Sequence, residues 1–202
     1  MGITRNSIDS TVDSPERYEV LLRLGACHIA MGNYEEARRC YEESALLGAD
    51  EPRLYIGLGV IALEKKQLKD SEAAFKVAIR LDKNCAEAFC GLAIVYQQKN
   101  DFAKAQQMYA KCLEIDNDNM EALSGLFQTS RQLGVFSEVE HYLNAYLKNH
   151  HNDKAVMFSL AALYVNDGRV GEAKEILLNI LALDSAFTDA IDLLEKIECQ
   201  LV

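Results

Sequence analysis

The 202 residues include no tryptophan and only two prolines, and no run of glycine and serine long enough to act as a linker. One continuous body is therefore expected rather than domains joined by a hinge. No apolar run approaches the roughly 20 residues that a membrane-spanning helix needs, and the opening MGITRNSIDS lacks the apolar stretch of a secretory signal. Neither membrane insertion nor export is expected, and the expected location is cytoplasmic. The cysteines (Cys27, Cys40, Cys85, Cys90, Cys112, Cys199) form no CxxC pair and have no ligand spacing with the histidines. They read as small buried thiols in a reducing compartment, with no metal and no other cofactor expected.

Catalytic signatures are missing too. The sequence has no glycine-rich phosphate loop, no HExxH and no GxSxG, and enzymatic activity is not expected. The net charge is −10. The one net-positive stretch (Arg53, Lys65, Lys66, Lys69, Lys76, Arg80, Lys83) spreads over two predicted helices and reads as solvated surface, so nucleic acid is not an expected partner. Half the residues are apolar and about a quarter charged, the balance of a folded chain.

What is present is a period. Gly57, Gly91 and Gly125 recur every 34 residues, and from Tyr18 five blocks fit without insertion: 18–51, 52–85, 86–119, 120–153 and 154–187. Position 7 of each block is Leu24, Leu58, Leu92, Leu126 and Leu160. Position 8 is Gly25, Gly59, Ala93, Phe127 and Ala161, small in all but one. Position 15 is Gly32, Lys66, Asn100, Gly134 and Gly168, where a first helix is expected to end in a left-handed residue. Position 17 (Tyr34, Leu68, Phe102, Phe136, Val170) opens a second helix, position 20 is Ala37, Ser71, Ala105, Val139 and Ala173, and position 24 is Tyr41, Phe75, Tyr109, Leu143 and Leu177.

With a small residue at 8, an aromatic at 11 in Tyr96 and Tyr164, alanine at 20 and an aromatic at 24, this pattern resembles the tetratricopeptide repeat. The resemblance implies an all-α fold, a right-handed superhelical α-solenoid of antiparallel helix pairs. Some positions depart from the family pattern. Tryptophan never occupies position 4, and the closing proline after Asp82, Asp116 and Asp184 is replaced by Lys83, Asn117 and Ser185. Block 120–153 diverges most, with Phe127 at 8, Ser130 at 11 and Val139 at 20, and a local change in packing is expected there.

Physics alone reaches a similar architecture. Apolar positions 3, 4, 7, 10 and 11 form one helical stripe and 17, 20, 21, 24, 27 and 28 a second, and only stacked copies bury both. Residues 1–17 are expected to be a polar tail and a helix start, with Ser14 capping and Pro15 in the first turn. Residues 188–202 are expected to be a capping helix with Ile191, Leu194, Ile197 and Leu201 inward.

The resemblance further implies that first helices line a concave groove, with positions 2, 5, 6, 9, 12 and 13 facing it. Here that face is apolar. The candidate peptide-binding residues are Leu22, Ala26, Ile56, Gly57, Val60, Cys90, Gly91, Ile94, Gln97, Ser124, Gly125, Gln128, Arg131, Phe158 and Ala162. Each glycine inside a helix costs about 1 kcal/mol against alanine. The expectation is that the three make a bare track for close approach of a ligand backbone, the alternative being relief of crowding between helices. The family's clamp for acidic chaperone C-termini is missing, since Leu22, Ala26, Gly57, Glu87 and Gly91 stand where it needs lysine, asparagine and arginine. His28, at position 11, reads as a core histidine, and His150 and His151 as turn residues.

The expected function is a non-catalytic protein–protein interaction module, adaptor or chaperone-like, that holds an apolar or amphipathic peptide or helix segment of another protein. The alternatives are a homo-oligomeric scaffold whose groove is filled by a neighbouring chain or by its own residues 1–14, and the repeat region of a larger protein.

Overall fold

In each of the five first helices, the chain leaves helical geometry at register position 15. Gly32, Gly134 and Gly168 have φ of 74°, 70° and 74°, and Lys66 and Asn100 both 59°. In every case the amide of the next residue donates to the carbonyl at position 11, from Asn33 to His28, Gln67 to Ala62, Asp101 to Tyr96, Val135 to Ser130 and Arg169 to Tyr164, at 2.8–3.2 Å. This six-to-one closure satisfies a terminal carbonyl and turns the chain back on itself.

The computed structural model describes residues 14–47 and 50–200, without the side chains of Ser14, Pro15 and Gln200. Its helices among these residues are α1 (Ser14–Ala30), α2 (Tyr34–Leu46), α3 (Pro52–Glu64), α4 (Leu68–Leu81), α5 (Ala86–Gln98), α6 (Phe102–Ile115), α7 (Met120–Leu133), α8 (Ser137–Asn149), α9 (Lys154–Asn166), α10 (Val170–Leu183) and α11 (Thr188–Gln200). The chain is all-α. Helix α1 already includes Ser14, and the expected cap geometry there, like residues 1–13, lies outside the described residues. Leu201, expected in the last helix, does so too.

Proline's role at the return turns is taken by aspartate. The carboxylates of Asp82, Asp116 and Asp184 accept the amide two residues on, from Asn84 at 2.8 Å, Asp118 at 3.2 Å and Ala186 at 3.1 Å. Each is an Asx turn that fixes the corner without a proline ring.

The single body expected from the lack of linkers divides into two compact units, Met1–Asp101 and Phe102–Val202. In an array of stacked pairs each helix touches only its neighbours, so a boundary needs no linker. Unit 1 has its core in Leu22, Ala37, Tyr41, Leu54 and Ile61, with Tyr18, Ile29, Tyr34, Tyr55 and Leu58 packed around it. In unit 2, Leu126, Val139, Leu143, Leu163, Leu177 and Ile180 are fully buried, and Ala190 and Ile197 seat α11 on them. Leu24 departs from its register. Leu92, Leu126 and Leu160 are at most 4% exposed, but Leu24 is 44% exposed, because no described helix precedes α1 to cover it.

The glycines are explained by aromatic rings. A ring at position 24 lies against position 6 of the following first helix. A Cβ built on Gly57 would stand 2.2 Å from the Tyr41 ring, on Gly91 2.3 Å from Phe75, and on Gly125 2.2 Å from Tyr109. In the first two pairs the ring also lies against position 8 of its own first helix, where Gly25 would meet Tyr41 at 2.8 Å and Gly59 would meet Phe75 at 2.9 Å. Burying an aromatic side chain contributes roughly 2–3 kcal/mol, enough to offset the roughly 1 kcal/mol that a helical glycine costs. The expected bare track along Gly57, Gly91 and Gly125 is thus corrected. The space left by each missing side chain is filled by the protein's own ring.

The fourth pair packs differently, as its sequence leads one to expect. Phe127 at position 8 is half-buried, and α7 and α8 touch less closely than α1 with α2, α3 with α4 or α9 with α10. Helix α8 starts at Ser137, leaving Phe136 outside it with φ −114° and ψ −14°. A phenyl ring in the slot that elsewhere holds glycine or alanine keeps the second helix off the first.

Candidate functional site

Two apolar-walled cavities open on the first helices, one in each unit. In unit 1 a cavity of about 310 Å³ gathers Leu22, Ala26, Ile29, Ile56, Gly57 and Val60 from α1 and α3. Five of the candidate residues meet there, placed by the spacing i, i+4, i+7 that puts positions 5, 9 and 12 on one face. Its rim carries Arg23, Arg53 and Glu87. Both arginines are already paired, Arg23 with Glu19 at 2.9 Å and Arg53 with Glu19 at 2.7 Å and Glu51 at 2.8 Å. Those arginines hold the Glu19 carboxyl down at about 2.

In unit 2 a larger cavity, about 620 Å³, lies among α7, α9 and α11. Three of the candidate residues, Arg131, Phe158 and Ala162, line it together with Phe127, Phe136 and Leu193, which were not among the candidates. Phe127 stood out in the sequence as the one bulky residue at position 8, so the signal for this cavity was present. The remaining candidates line neither cavity. Cys90 is buried in α5, with Ile94 and Gln97 half-buried. Ser124 and Gln128 are exposed on α7, where the Gln128 amide donates to Ser124 Oγ at 3.4 Å.

A polar seam between successive pairs also escaped sequence reading. Position 21 of one block meets position 11 of the next, 24 residues on. The Tyr96 hydroxyl donates to Glu72 at 3.2 Å, Gln106 to Ser130 Oγ at 3.3 Å, and the Tyr164 hydroxyl to Glu140 at 3.0 Å. Hydrogen bonds from Lys76 and Lys99 hold Glu72 down at about 2. Arg169 stacks on Tyr164, 3.9 Å from the ring centre, and pairs with Glu140 at 2.8 Å.

No catalytic constellation emerges among the described residues. Among the described residues no group of histidine, cysteine and acidic side chains could hold a metal, and no helix is long and apolar enough to cross a membrane. His150 stacks on Tyr146 and lies 3.2 Å from Asp118. His28 is half-buried, and its Nδ1 has no hydrogen-bond partner. It is therefore not the fully satisfied core histidine expected. Four cysteines are buried as expected, and burial pushes the Cys85 thiol up to about 11. Cys27 and Cys199 are exposed, against expectation.

Residues 22–86 and residues 96–162 each match a family profile described as tetratricopeptide repeat. The chain belongs to the tetratricopeptide repeat family. Repeats of this family generally form non-catalytic interaction folds, which makes the chain a protein–protein interaction module. No curated protein matches in sequence.

Solved structures of tetratricopeptide proteins share the fold. Pseudomonas aeruginosa pilF matches with a TM-score of 0.69 at 15% identity, over 84% of this chain and 77% of its own. YrrB, described as a TPR protein with an unusual peptide-binding site, matches at 0.66 and 15% identity, over 87% and 90%. The first TPR of Spaghetti (RPAP3), bound to the HSP90 peptide SRMEEVD, matches at 0.55 and 23% identity, over 62% and 99%. At such identities the likeness establishes fold alone.

Proposed function

We propose that this tetratricopeptide protein binds an apolar or amphipathic segment of a partner protein on the faces of its first helices, without catalysing a reaction on it. The carrying observation is the cavity of unit 1, where Ala26, Ile56 and Val60 leave apolar surface open, over the buried Leu22, on helices whose other side is already committed to the core. Apolar surface at that place gains by being covered. The peptide-binding neighbours YrrB and Spaghetti are consistent with this use of the fold. Gly91 and Gly125 are not part of the proposed contact, and Gly57 lines the cavity beside the Tyr41 ring that fills its side-chain space.

The test compares capture of partners from a native extract by the wild type and by an Ile56→Arg, Val60→Glu variant of unchanged melting temperature. A partner lost from the variant and then mapped to one segment supports the reading, and identical capture by both proteins overturns it. The exposed side chains of Val20 (60%) and Leu24 (44%) on α1 and of Met31 (62%) in the turn after it favour a second reading, self-association. Light scattering across a concentration series decides between them, since only self-association makes the mass rise with concentration.

A further inference from the structure

The cavity of unit 2 differs chemically from that of unit 1. Its walls present three phenyl rings, Phe127, Phe136 and Phe158, together with Leu193. All four are half-buried, so ring surface stays open. Its size falls within the range of specific binding pockets. It exists because Phe127 holds α8 away and because position 24 is Leu143 rather than an aromatic, which frees position 6 of the next helix to be Ser159, on the cavity wall. The one charged side chain in the lining is Arg131, with no aspartate or glutamate beside it. Arg131 is exposed and has no ion pair or hydrogen bond among the described residues. The arginines at the other cavity are neutralised by Glu19 and Glu51, so this guanidinium stands out as an open partner for a carboxylate. A planar fork of donors beside aromatic walls suits one carboxylate held in two hydrogen bonds.

We propose that this cavity is an anchor pocket for a partner peptide, receiving one bulky apolar side chain while Arg131 pairs with an aspartate or glutamate next to it in the peptide. The proposal rests on the peptide-binding reading above and adds the chemistry of the peptide. A single acid, rather than an acidic run, matches a lone arginine on a chain of net charge −10, which repels longer acidic segments. Ser159 and Asn166, also in the lining, offer hydrogen bonds to the peptide backbone.

A display library of random dodecapeptides selected on the full chain, with the enriched peptide then labelled for fluorescence anisotropy, tests this. Wild type is expected to enrich an aromatic residue, leucine or methionine within three positions of an acid. Arg131→Glu, a change at an exposed residue, should weaken that peptide at least tenfold and, in its own selection, enrich lysine or arginine instead of the acid. Phe158→Ala should weaken it at least tenfold without changing the charge preference. If binding survives both changes but is lost in Ile56→Arg, the anchor pocket is wrong and the broader reading stands. If wild type enriches nothing, both fall.

Discussion

The second and fourth helix pairs are built on one 34-residue template and pack in opposite ways. In the second, Gly59 and Gly91 make room for a fully buried Phe75, and the ring ties its own pair to the next. In the fourth, the aromatic has moved to position 8 as Phe127, position 24 is Leu143, and position 6 of the next helix is Ser159. One arrangement uses aromatic surface to hold helices together. The other leaves it open in a cavity. The same residue type therefore serves stability or binding according to register.

The largest expected effect separates the two rings directly. Phe75→Ala removes a ring that is 1% exposed and should cost about 4 kcal/mol in urea unfolding. Phe127→Ala removes a half-buried ring and lets α8 approach α7, and should cost only about 1 kcal/mol. Equal costs would mean that Phe127 is as much a core residue as Phe75, and the contrast would be lost.

Next in size is the glycine. Helix propensity alone makes Gly91→Ala stabilising by about 1 kcal/mol. A Cβ 2.3 Å from the Phe75 ring reverses the sign, and a loss of about 2 kcal/mol is expected. Gly91→Ala combined with Phe75→Leu should be more stable than the sum of the single losses by about 1 kcal/mol or more, a coupling that a double-mutant cycle measures. A stabilising Gly91→Ala would remove the packing account of all three glycines.

The polar seam gives a smaller, pH-dependent effect. Glu72 is held at about 2 by Lys76 and Lys99, below its unfolded value near 4.3. A depressed carboxyl contributes stability that is complete above the unfolded value and is lost as pH falls through the folded one. The Glu72 side chain is 22% exposed, and solvent screening keeps the contribution to about 1 kcal/mol. The difference between wild type and Glu72→Gln should hold at pH 7, shrink from about pH 5 and vanish only below about pH 2. A difference independent of pH would make the residue's role one of shape rather than charge.

Much of the fold is legible because it repeats. Position 15 names the left-handed residue in all five first helices, including the two that are not glycine, and the patterns at 3, 7, 20 and 24 place the core. The exceptions come from partners lying outside a single block. Leu24 shares its register with buried leucines, but burial there requires a preceding helix. The glycine question was answerable from the sequence by pairing position 24 with position 6 of the following helix. Aromatic Tyr41, Phe75 and Tyr109 are followed by Gly57, Gly91 and Gly125, and Leu143 and Leu177 by Ser159 and Leu193. The seam from position 21 to position 11 was hidden for the same reason. At the candidate site, apolar positions 5 and 9 were visible on α1 and α3. For the cavity of unit 2 the sequence showed the bulky Phe127 but not the opening, which depends on how far that residue separates two helices.

The smallest effect concerns the turns of the same two pairs. Lys66 closes α3 with φ 59°, and Gly134 closes α7 with φ 70°. A side chain in the left-handed region costs roughly 1–2 kcal/mol, which Lys66→Gly relieves. Glycine also frees the unfolded chain, returning about 0.4–1 kcal/mol. The relief outweighs that loss, so Lys66→Gly should stabilise by about 0.5 kcal/mol, seen as a higher urea midpoint at unchanged slope. Gly134→Lys should destabilise by a similar amount. If Lys66→Gly lowers the midpoint instead, the contact of Lys65 with Glu35 at 2.5 Å, one residue before the turn, depends on lysine at 66 to hold its backbone. In that case the turn of the second pair is set by its flanking ion pair as well as by its left-handed residue.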